Sequence, residues 1–219
     1  SYDFNANHSI GARYAIMLKS YSKGTVMFKS KVFANGKFYD SIYSSQYDTS
    51  DDAPIHEANV YYNGTIGKTT IDFNTDLYFS NANSYSTQNE VSQEHESRQV
   101  NSKNMVDNRM VASKIIVGTP LFGGSLSVGA EYVNTSRHDD YEVNLTTLLS
   151  NSYSLLKEQT VSPFIKYSHS TNIGNFTAGL RYEHVRFKYY DGGVYKPEQS
   201  RTFHNLFPSL SYATRVGKV

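Results

Sequence analysis

The 219-residue sequence predicts an all-β fold, an antiparallel meander of about ten long strands. Three observations support this prediction. Apolar and polar side chains alternate over long stretches. Turn-forming segments separate many of these stretches. No run of apolar residues approaches the ~18 of a membrane-spanning helix. Aromatic residues make up 14% of the chain, with 19 Tyr and 12 Phe. Tyr suits surfaces where an apolar region meets water, because its ring is apolar and its hydroxyl polar.

The alternation is clearest between Thr69 and Ser80. One parity carries Ile71, Phe73, Leu77 and Phe79, and the other carries Thr70, Asp72, Asn74, Asp76, Tyr78 and Ser80. Because successive side chains of a strand point to opposite faces, this strand has one apolar and one polar face. A typical soluble strand has about 5–6 residues, whereas a tilted membrane-spanning strand needs about 9–11. The length of this segment favours a membrane-spanning strand.

The same alternation recurs along most of the chain. We interpret ten segments as strands: 8–18, 25–34, 37–45, 57–66, 69–80, 103–117, 125–134, 158–170, 176–187 and 204–216. In the last of these, Leu206, Leu210, Tyr212 and Val216 are predicted to share one face.

The predicted links between strands are of two kinds. The short ones are 35–36, 67–68, 119–124 and 171–175, and the long polar ones are 46–56, 81–102, 135–157 and 188–203; the link 19–24 belongs to neither class. In a meander, alternate links lie at opposite ends. Outer-membrane barrels have this asymmetry, with short periplasmic turns and long extracellular loops. The sequence therefore predicts part of such a barrel, or a chain that closes as one. A soluble all-β domain with one wet face is the alternative, since soluble antiparallel sheets also alternate.

Composition excludes several classes of function. The chain carries 21 basic and 20 acidic residues, for a net charge of +1, so nothing indicates a nucleic-acid partner. It has no Cys, which excludes disulfides, thiolate metal sites and cysteine nucleophiles. No composition shift marks a domain boundary. We interpret residues 1–219 as a single β-barrel segment with no cofactor.

Five groups of residues, in order and spacing, resemble a known family. They are Asn7–Tyr14, Tyr61–Gly64 with Ile71–Asn74, Leu126–Tyr132, Gly179–His184 and Arg201–Leu210. They resemble the C-terminal barrel of the outer-membrane β-barrel family of Bacteroidetes, which belongs with the TonB-dependent receptors. The resemblance covers nearly the whole chain.

The resemblance implies a receptor-like barrel in the Gram-negative outer membrane that binds and imports a nutrient. The implied partners are outer-membrane lipid, the unknown nutrient and the TonB system, which acts through a plug domain. We identify no plug domain and no TonB box in the sequence, and the predicted strands number far fewer than the roughly 22 of such transporters. We therefore expect part of a barrel, whose edges self-associate or close imperfectly.

Four charged residues are the candidate ligand-binding residues: Arg181, Glu183, Glu131 and Lys166. All four fall on polar positions of predicted strands, so in a barrel they would point into the lumen. There they either contact a ligand or pair with one another.

Other acidic and histidine clusters are interpreted as parts of solvated loops: His138-Asp139-Asp140 with Glu142, Glu94-His95-Glu96, and Asp51-Asp52. No metal site and no catalysis are predicted. Two alternatives stay open beside the transport barrel. One is a small outer-membrane hydrolase that uses His138 and Asp140. The other is a secreted carbohydrate-binding β-sandwich, whose exposed Tyr side chains stack on sugars.

Overall fold

The computed structural model describes residues 1–147 and 149–214, which form twelve β-strands. Their bounds are β1 Tyr2–Asn5, β2 His8–Lys19, β3 Ser22–Ala34, β4 Lys37–Ser50, β5 Ala53–Ile66, β6 Thr69–Ser92, β7 Arg98–Leu121, β8 Gly124–Val143, β9 Ser152–Thr171, β10 Gly174–Asp191, β11 Val194–Tyr195 and β12 Arg201–Ala213. The helical content of these residues is a single 3₁₀ turn at Pro197–Gln199. No helix among them is long and apolar enough to cross a membrane. The predicted all-β fold is confirmed.

All twelve strands belong to one sheet, and every pairing is antiparallel. From β5 to β10, strands that follow one another in the chain are neighbours in the sheet, as in a meander. Within the described residues, β1 pairs only with β2, β3 only with β4 and β12 only with β10. The sheet is therefore open.

Segments 8–18 and 25–34 are separate strands as predicted, β2 and β3, but they are not neighbours in the sheet as the predicted meander requires. β2 pairs with β5 and β3 pairs with β4, while the two halves of β6 pair with β5 and β4. Thus β2 and β3 continue one another, as do β4 and β5. Asp52 Oδ1 accepts a hydrogen bond from the Tyr21 backbone N–H, at 2.6 Å, where both long strands are interrupted. The polar stretch 19–24 resembles a turn in composition, but pairing with the adjacent β4 and β5 keeps it extended.

The two ends of the sheet differ in their connections. At the turn end, two-residue turns lie at 6–7, 67–68, 122–123 and 172–173. At the loop end the connections are 35–36, 93–97, 144–151 and 192–200. Asn35-Gly36 is a two-residue turn as predicted, with φ of 50° and 78°. It lies at the loop end, however, and not with the other short turns.

The predicted long loops are mostly strand. β6 and β7 each have 24 residues, and β8 and β9 each have 20. A tilted strand needs only about 9–11 residues to cross a membrane. The remaining residues project at the loop end. Apolar and polar side chains do not alternate there because both faces of the sheet meet water. The hydrogen bonds between the strands nevertheless continue.

The strand registers assign the side chains to two faces. Residues directly opposite one another share a face, as Ile71, Val117, Val128, Ile165 and Leu180 do in successive strands. We call this the apolar face and the opposite one the polar face. The same registers also place Phe73, Leu77, Phe79, Leu126, Phe176 and Leu210 on the apolar face. Val216, predicted to join Leu210 there, lies outside the described residues.

The apolar face is uncovered by protein. Leu77 is 44% exposed and Leu210 is 82% exposed, and the fully buried apolar side chains among the described residues are only Ala53 and Val143. A soluble sheet would bury such a face against a second layer. This face instead suits contact with lipid.

Candidate functional site

A charged cluster lies on the polar face of strands β7 to β10. Lys114 of β7 is directly opposite Glu131 of β8, and Glu131 is directly opposite Ser162 of β9. Arg181 of β10 is directly opposite Phe164 of β9. The pairing of the strands thus places Glu131 of β8 between Lys114 of β7 and Arg181 of β10.

Glu131 is the centre of this cluster. Lys114 Nζ lies 2.6 Å from Glu131 Oε1, and Arg181 Nη1 donates a hydrogen bond to Glu131 Oε2 at 2.5 Å. Arg181 Nη2 also lies 3.5 Å from Glu183 Oε2. The two carboxylates therefore share Arg181, and both oxygens of Glu131 are engaged by cations.

Ser162 makes the bridge from β8 to β10 possible. It is fully buried, and its Oγ has no hydrogen-bond partner among the described residues. A larger side chain at this position would stand between Glu131 and Arg181. Because Ser162 is small, the two side chains meet above it, across the whole width of β9.

Lys166 lies beside this cluster but is not part of its ion pairs. It lines a cavity of about 250 Å³ together with Lys114, Glu131, Phe164, Arg181 and Phe207. No carboxylate of the described residues forms an ion pair with Lys166. The side chains of Lys114 and Arg181 are 45% and 35% exposed. The cavity therefore combines an unpaired ammonium group with two aromatic rings, an arrangement able to hold an anionic group.

Three of the four predicted site residues thus meet directly, and Lys166 lies next to them. Sequence reasoning missed Lys114 because alternation is less clean in 103–117, where Val111, Ile115 and Val117 oppose Met110, Ala112 and Ile116. The register that sets Lys114 opposite Glu131 places it on the polar face.

A second polar cluster on the same face was also missed. Asn59 Nδ2 donates hydrogen bonds to Asn74 Oδ1 at 2.8 Å and to Asp76 Oδ1 at 2.6 Å. Asn74 Nδ2 donates to Asp76 Oδ2 at 3.0 Å. These hydrogen bonds hold β5 and β6 together, and the Asp76 charge has no cationic partner among the described residues.

One of the predicted acidic and histidine clusters lies in a strand and not in a loop. His138, Asp139 and Asp140 lie within β8, not in a loop, and Arg137 Nε donates to Asp139 Oδ2 at 2.6 Å. Within residues 1–147 and 149–214, no group of three or more His, Cys, Asp or Glu is arranged to hold a metal ion.

The remaining clusters have local structural roles. Asp51 Oδ2 accepts hydrogen bonds from Asn83 and Tyr85 where β4 gives way to β5. The segment Glu94-His95-Glu96 does lie in a connection, at the loop end, and the Ser92 hydroxyl caps the backbone N–H groups of Glu94 and His95.

Similar solved structures share little sequence with this chain. The copper transporter OprC has 10% identity and a TM-score of 0.43, with 95% of this chain and 43% of OprC covered. The ferric citrate transporter FecA has 9% identity and a TM-score of 0.43, with 98% and 40% covered. The alcaligin receptor FauA from Bordetella pertussis has 11% identity and a TM-score of 0.41, with 95% and 41% covered. The chain spans about two fifths of the length of each of these proteins.

Sequence comparison gives the family directly. No curated protein sequence matches this chain. Residues 62–218 match the profile of the outer membrane protein beta-barrel family, which is well over half of the chain. The one-sheet antiparallel meander, with its uncovered apolar face and charged polar face, has the architecture expected of such a protein. The chain therefore belongs to the outer membrane protein β-barrel family and lies in the outer membrane of a Gram-negative bacterium.

Proposed function

We propose that this chain forms part of the barrel wall of a TonB-dependent importer, and that the cavity beside Lys166 binds a nutrient with an anionic group. The single observation that carries the proposal is the unpaired Lys166 next to the pairs of Lys114, Glu131 and Arg181. A charge at membrane depth is costly unless it faces a partner or a water-filled lumen. The unpaired charge of Lys166, beside two aromatic rings, supports a role in binding more than a purely structural role.

The energy source and the origin of the protein belong to the same proposal. The five sequence segments that resemble the receptors of Bacteroidetes support an importer driven by the TonB system through a plug domain. The importer then has no catalytic role of its own, and its barrel wall supplies contacts to the nutrient.

Neither alternative function is favoured. A β-sandwich needs two sheets packed face to face, whereas all twelve strands here belong to one sheet. A hydrolase using His138 and Asp140 needs a paired acid and base. Within the described residues no hydrogen bond joins these two side chains, which lie on the apolar-face parity of β8.

Uptake by living cells tests the proposal. Cells lacking the gene are complemented with the whole gene, either wild type or carrying Lys166→Glu, and grown on limiting uronate oligomers, phosphorylated sugars or neutral sugars. We expect at least one anionic nutrient to enter only when TonB is present. Lys166→Glu should reduce this uptake roughly tenfold or more, because a like charge then faces the nutrient.

A matched control tests whether a change of charge alone reduces uptake. Lys23→Glu changes an exposed lysine of β3, far from the cavity, and should leave uptake unchanged. Uptake that is equal in both variants would show that the cluster only holds the strands together. Uptake that continues without TonB would overturn the proposed energy source.

A further inference from the structure

The apolar face ends in a basic patch at the loop end. Arg109 of β7, Lys157 of β9 and Lys188 of β10 lie in one register row, in which Arg109 is opposite Ser136, Ser136 is opposite Lys157, and Lys157 is opposite Lys188. Arg186 lies one position nearer the turn end, opposite Gln159. We call Arg109, Lys157, Arg186 and Lys188 the basic patch.

The basic patch begins where the mainly apolar run of side chains on this face is interrupted. Counting from the turn end, the mainly apolar run on this face ends at Val111 in β7, Val161 in β9 and Tyr182 in β10. Met105, Leu155 and Tyr190 lie on the same face beyond the patch. On the apolar face, Arg109 is the next residue of β7 after Val111. Lys157 is the second residue of β9 after Val161, and Arg186 is the second residue of β10 after Tyr182. In a membrane this is the level of the lipid headgroups.

Three of the four charges of the patch have no carboxylate partner among the described residues. Arg109 lies 3.3 Å from Asp107, but no carboxylate of the described residues forms an ion pair with Lys157, Arg186 or Lys188. The nearby Glu158 and Glu183 lie on the polar face, opposite Phe187 and Asn205. Like charges directly opposite in adjacent strands repel, as Lys157 and Lys188 do. An external anion would remove this repulsion.

The surface beneath the patch is shaped for an amphiphile. A cavity of about 670 Å³ has an apolar floor that includes Leu77 and Val111, and its rim includes Arg109, Asn134, Ser136 and Lys157. Ser136 is small, so the space between Arg109 and Lys157 is open. Arg109 also lies 5.3 Å from the centre of the Phe79 ring, which holds its guanidinium above the floor.

We propose that the basic patch binds the phosphate-bearing headgroup of a lipid of the outer leaflet. The acyl chains lie against Leu77 and Val111, and the phosphate accepts charge-assisted hydrogen bonds from Arg109, Lys157, Arg186 and Lys188. The loop end is the extracellular end in this class of barrel, which places the patch at the outer leaflet. This site lies on the opposite face from the cavity beside Lys166 and does not depend on import.

Native mass spectrometry of the full chain in detergent tests the assignment. The probes are lipid A with two phosphates, the same lipid without phosphates, and inorganic phosphate as a competitor. The double variant Lys157→Gln/Lys188→Gln should bind diphosphorylated lipid A roughly tenfold or more weakly, since two charge-assisted contacts are lost. Lys157→Arg/Lys188→Arg keeps both charges and should keep the binding.

The control has the same net charge as the double Gln variant. Arg13→Gln/Lys68→Gln removes two cations, one on the polar face and one in a turn, and should bind the lipid like the wild type. Three results would overturn the proposal: equal weakening in this control, equal binding of the lipid without phosphates, or displacement of the lipid by inorganic phosphate at the same concentration.

Discussion

Asp40 is the most fully buried charged residue of the described chain, at 1% exposure. It accepts hydrogen bonds from the Ser92 hydroxyl at 2.7 Å, the Gln93 N–H at 3.0 Å and the Ser41 N–H at 2.6 Å. The Ser92 hydroxyl is the main cause that holds the pKa of Asp40 below its ordinary value, and these N–H groups add to it. Burial acts in the opposite direction. Because Ser92 also caps the 93–97 turn, Asp40 anchors that turn to β4.

Removing this charge should release the 93–97 turn. A carboxylate with a lowered folded pKa stabilises the protein above its unfolded pKa of about 3.9, and this effect is lost as pH falls through the folded pKa. We expect Asp40→Asn to raise amide exchange at 93–97 roughly tenfold at pH 7. Exchange corrected for intrinsic rates should rise in the wild type below pH ~4, and not in the variant. Equal protection in both proteins at pH 7 would contradict this role.

Adjacent isoleucines of β7 test the assignment of faces. Ile115 lies on the apolar face opposite Phe73, and Ile116 lies on the polar face opposite Asp72 and Gly129. Ile115→Arg should cost about 2–4 kcal/mol of stability in lipid. Ile116→Arg should cost far less, because its charge faces the lumen and lies near Asp72. Urea titration in liposomes, followed by circular dichroism, measures both, and equal losses would refute the assignment.

This pair is a sharper test than a comparison of Leu77→Arg with Asp76→Arg. Both pairs change one residue on each face of a single strand. Asp76, however, accepts hydrogen bonds from Asn59 and Asn74, so replacing it breaks contacts as well as changing a charge. Ile116 makes no side-chain hydrogen bond, and its replacement reports on the face alone.

At the scale of the strand, aromatic rings on the polar face cover glycines of neighbouring strands. Phe164 lies over Gly129, and Tyr61 lies over Gly11, directly opposite it. A Cβ on Gly129 would stand 2.5 Å from the Phe164 ring and 2.5 Å from the Ile115 carbonyl oxygen. Each glycine therefore leaves room for the ring that packs the adjacent strand.

Adding one methyl group tests this packing. Gly129→Ala should destabilise the protein by about 1–3 kcal/mol, because both the ring and a backbone oxygen must move. Gly24→Ala is the matched control, since nothing lies within 4 Å of its Cβ position. It should be neutral or stabilise by about 0.4–1 kcal/mol. Chemical denaturation followed by circular dichroism compares them; if both changes have the same effect, the glycine–aromatic contact is unimportant.

At the scale of the whole molecule, the apolar face shows the tilt of the strands. The upper end of its mainly apolar run drops two residues from Phe79 in β6 to Val111 in β7 and two more to Tyr132 in β8. Val161 in β9 is level with Tyr132, Tyr182 in β10 lies two residues lower, and Leu206 in β12 is level with Tyr182. The drop of six residues is ~20 Å along the strands, and the five strand spacings measure ~24 Å across the sheet. Strands tilted by roughly 40° would keep such a band level in a membrane, within the usual range of about 35–45°.

The two open edges of the sheet predict self-association of the isolated chain. Among the described residues, β1, most of β2 and β3 leave backbone N–H and C=O groups without a neighbouring strand on one side of the sheet, and β12 does so on the other. Such edges recruit further strands. We expect light scattering of the 219-residue chain in detergent to give a mass above that of one chain. A strict monomer with slow amide exchange throughout β2 and β12 would show that the edges pair with each other instead.

The sequence by itself determined which side chains share a face and where several of the tight turns lie. Both features are local: alternation follows from the period of two in a strand, and Asn35-Gly36 or Gly67-Lys68 makes a turn through its own backbone preferences. Arg181, Glu131, Glu183 and Lys166 could be assigned to the polar face for the same reason.

Only the tertiary structure decided how far the strands run and which charges meet. Beyond the lipid both faces are polar, so the pattern that marks a strand vanishes while its hydrogen-bonded neighbour still extends it, as in 81–92 and 98–102. The joining of β2 to β3 depends likewise on pairing with β5 and β4. Lys114, Glu131 and Arg181 meet because of the register of four strands. That register is set by hydrogen bonds between segments distant in the chain, which no local pattern records.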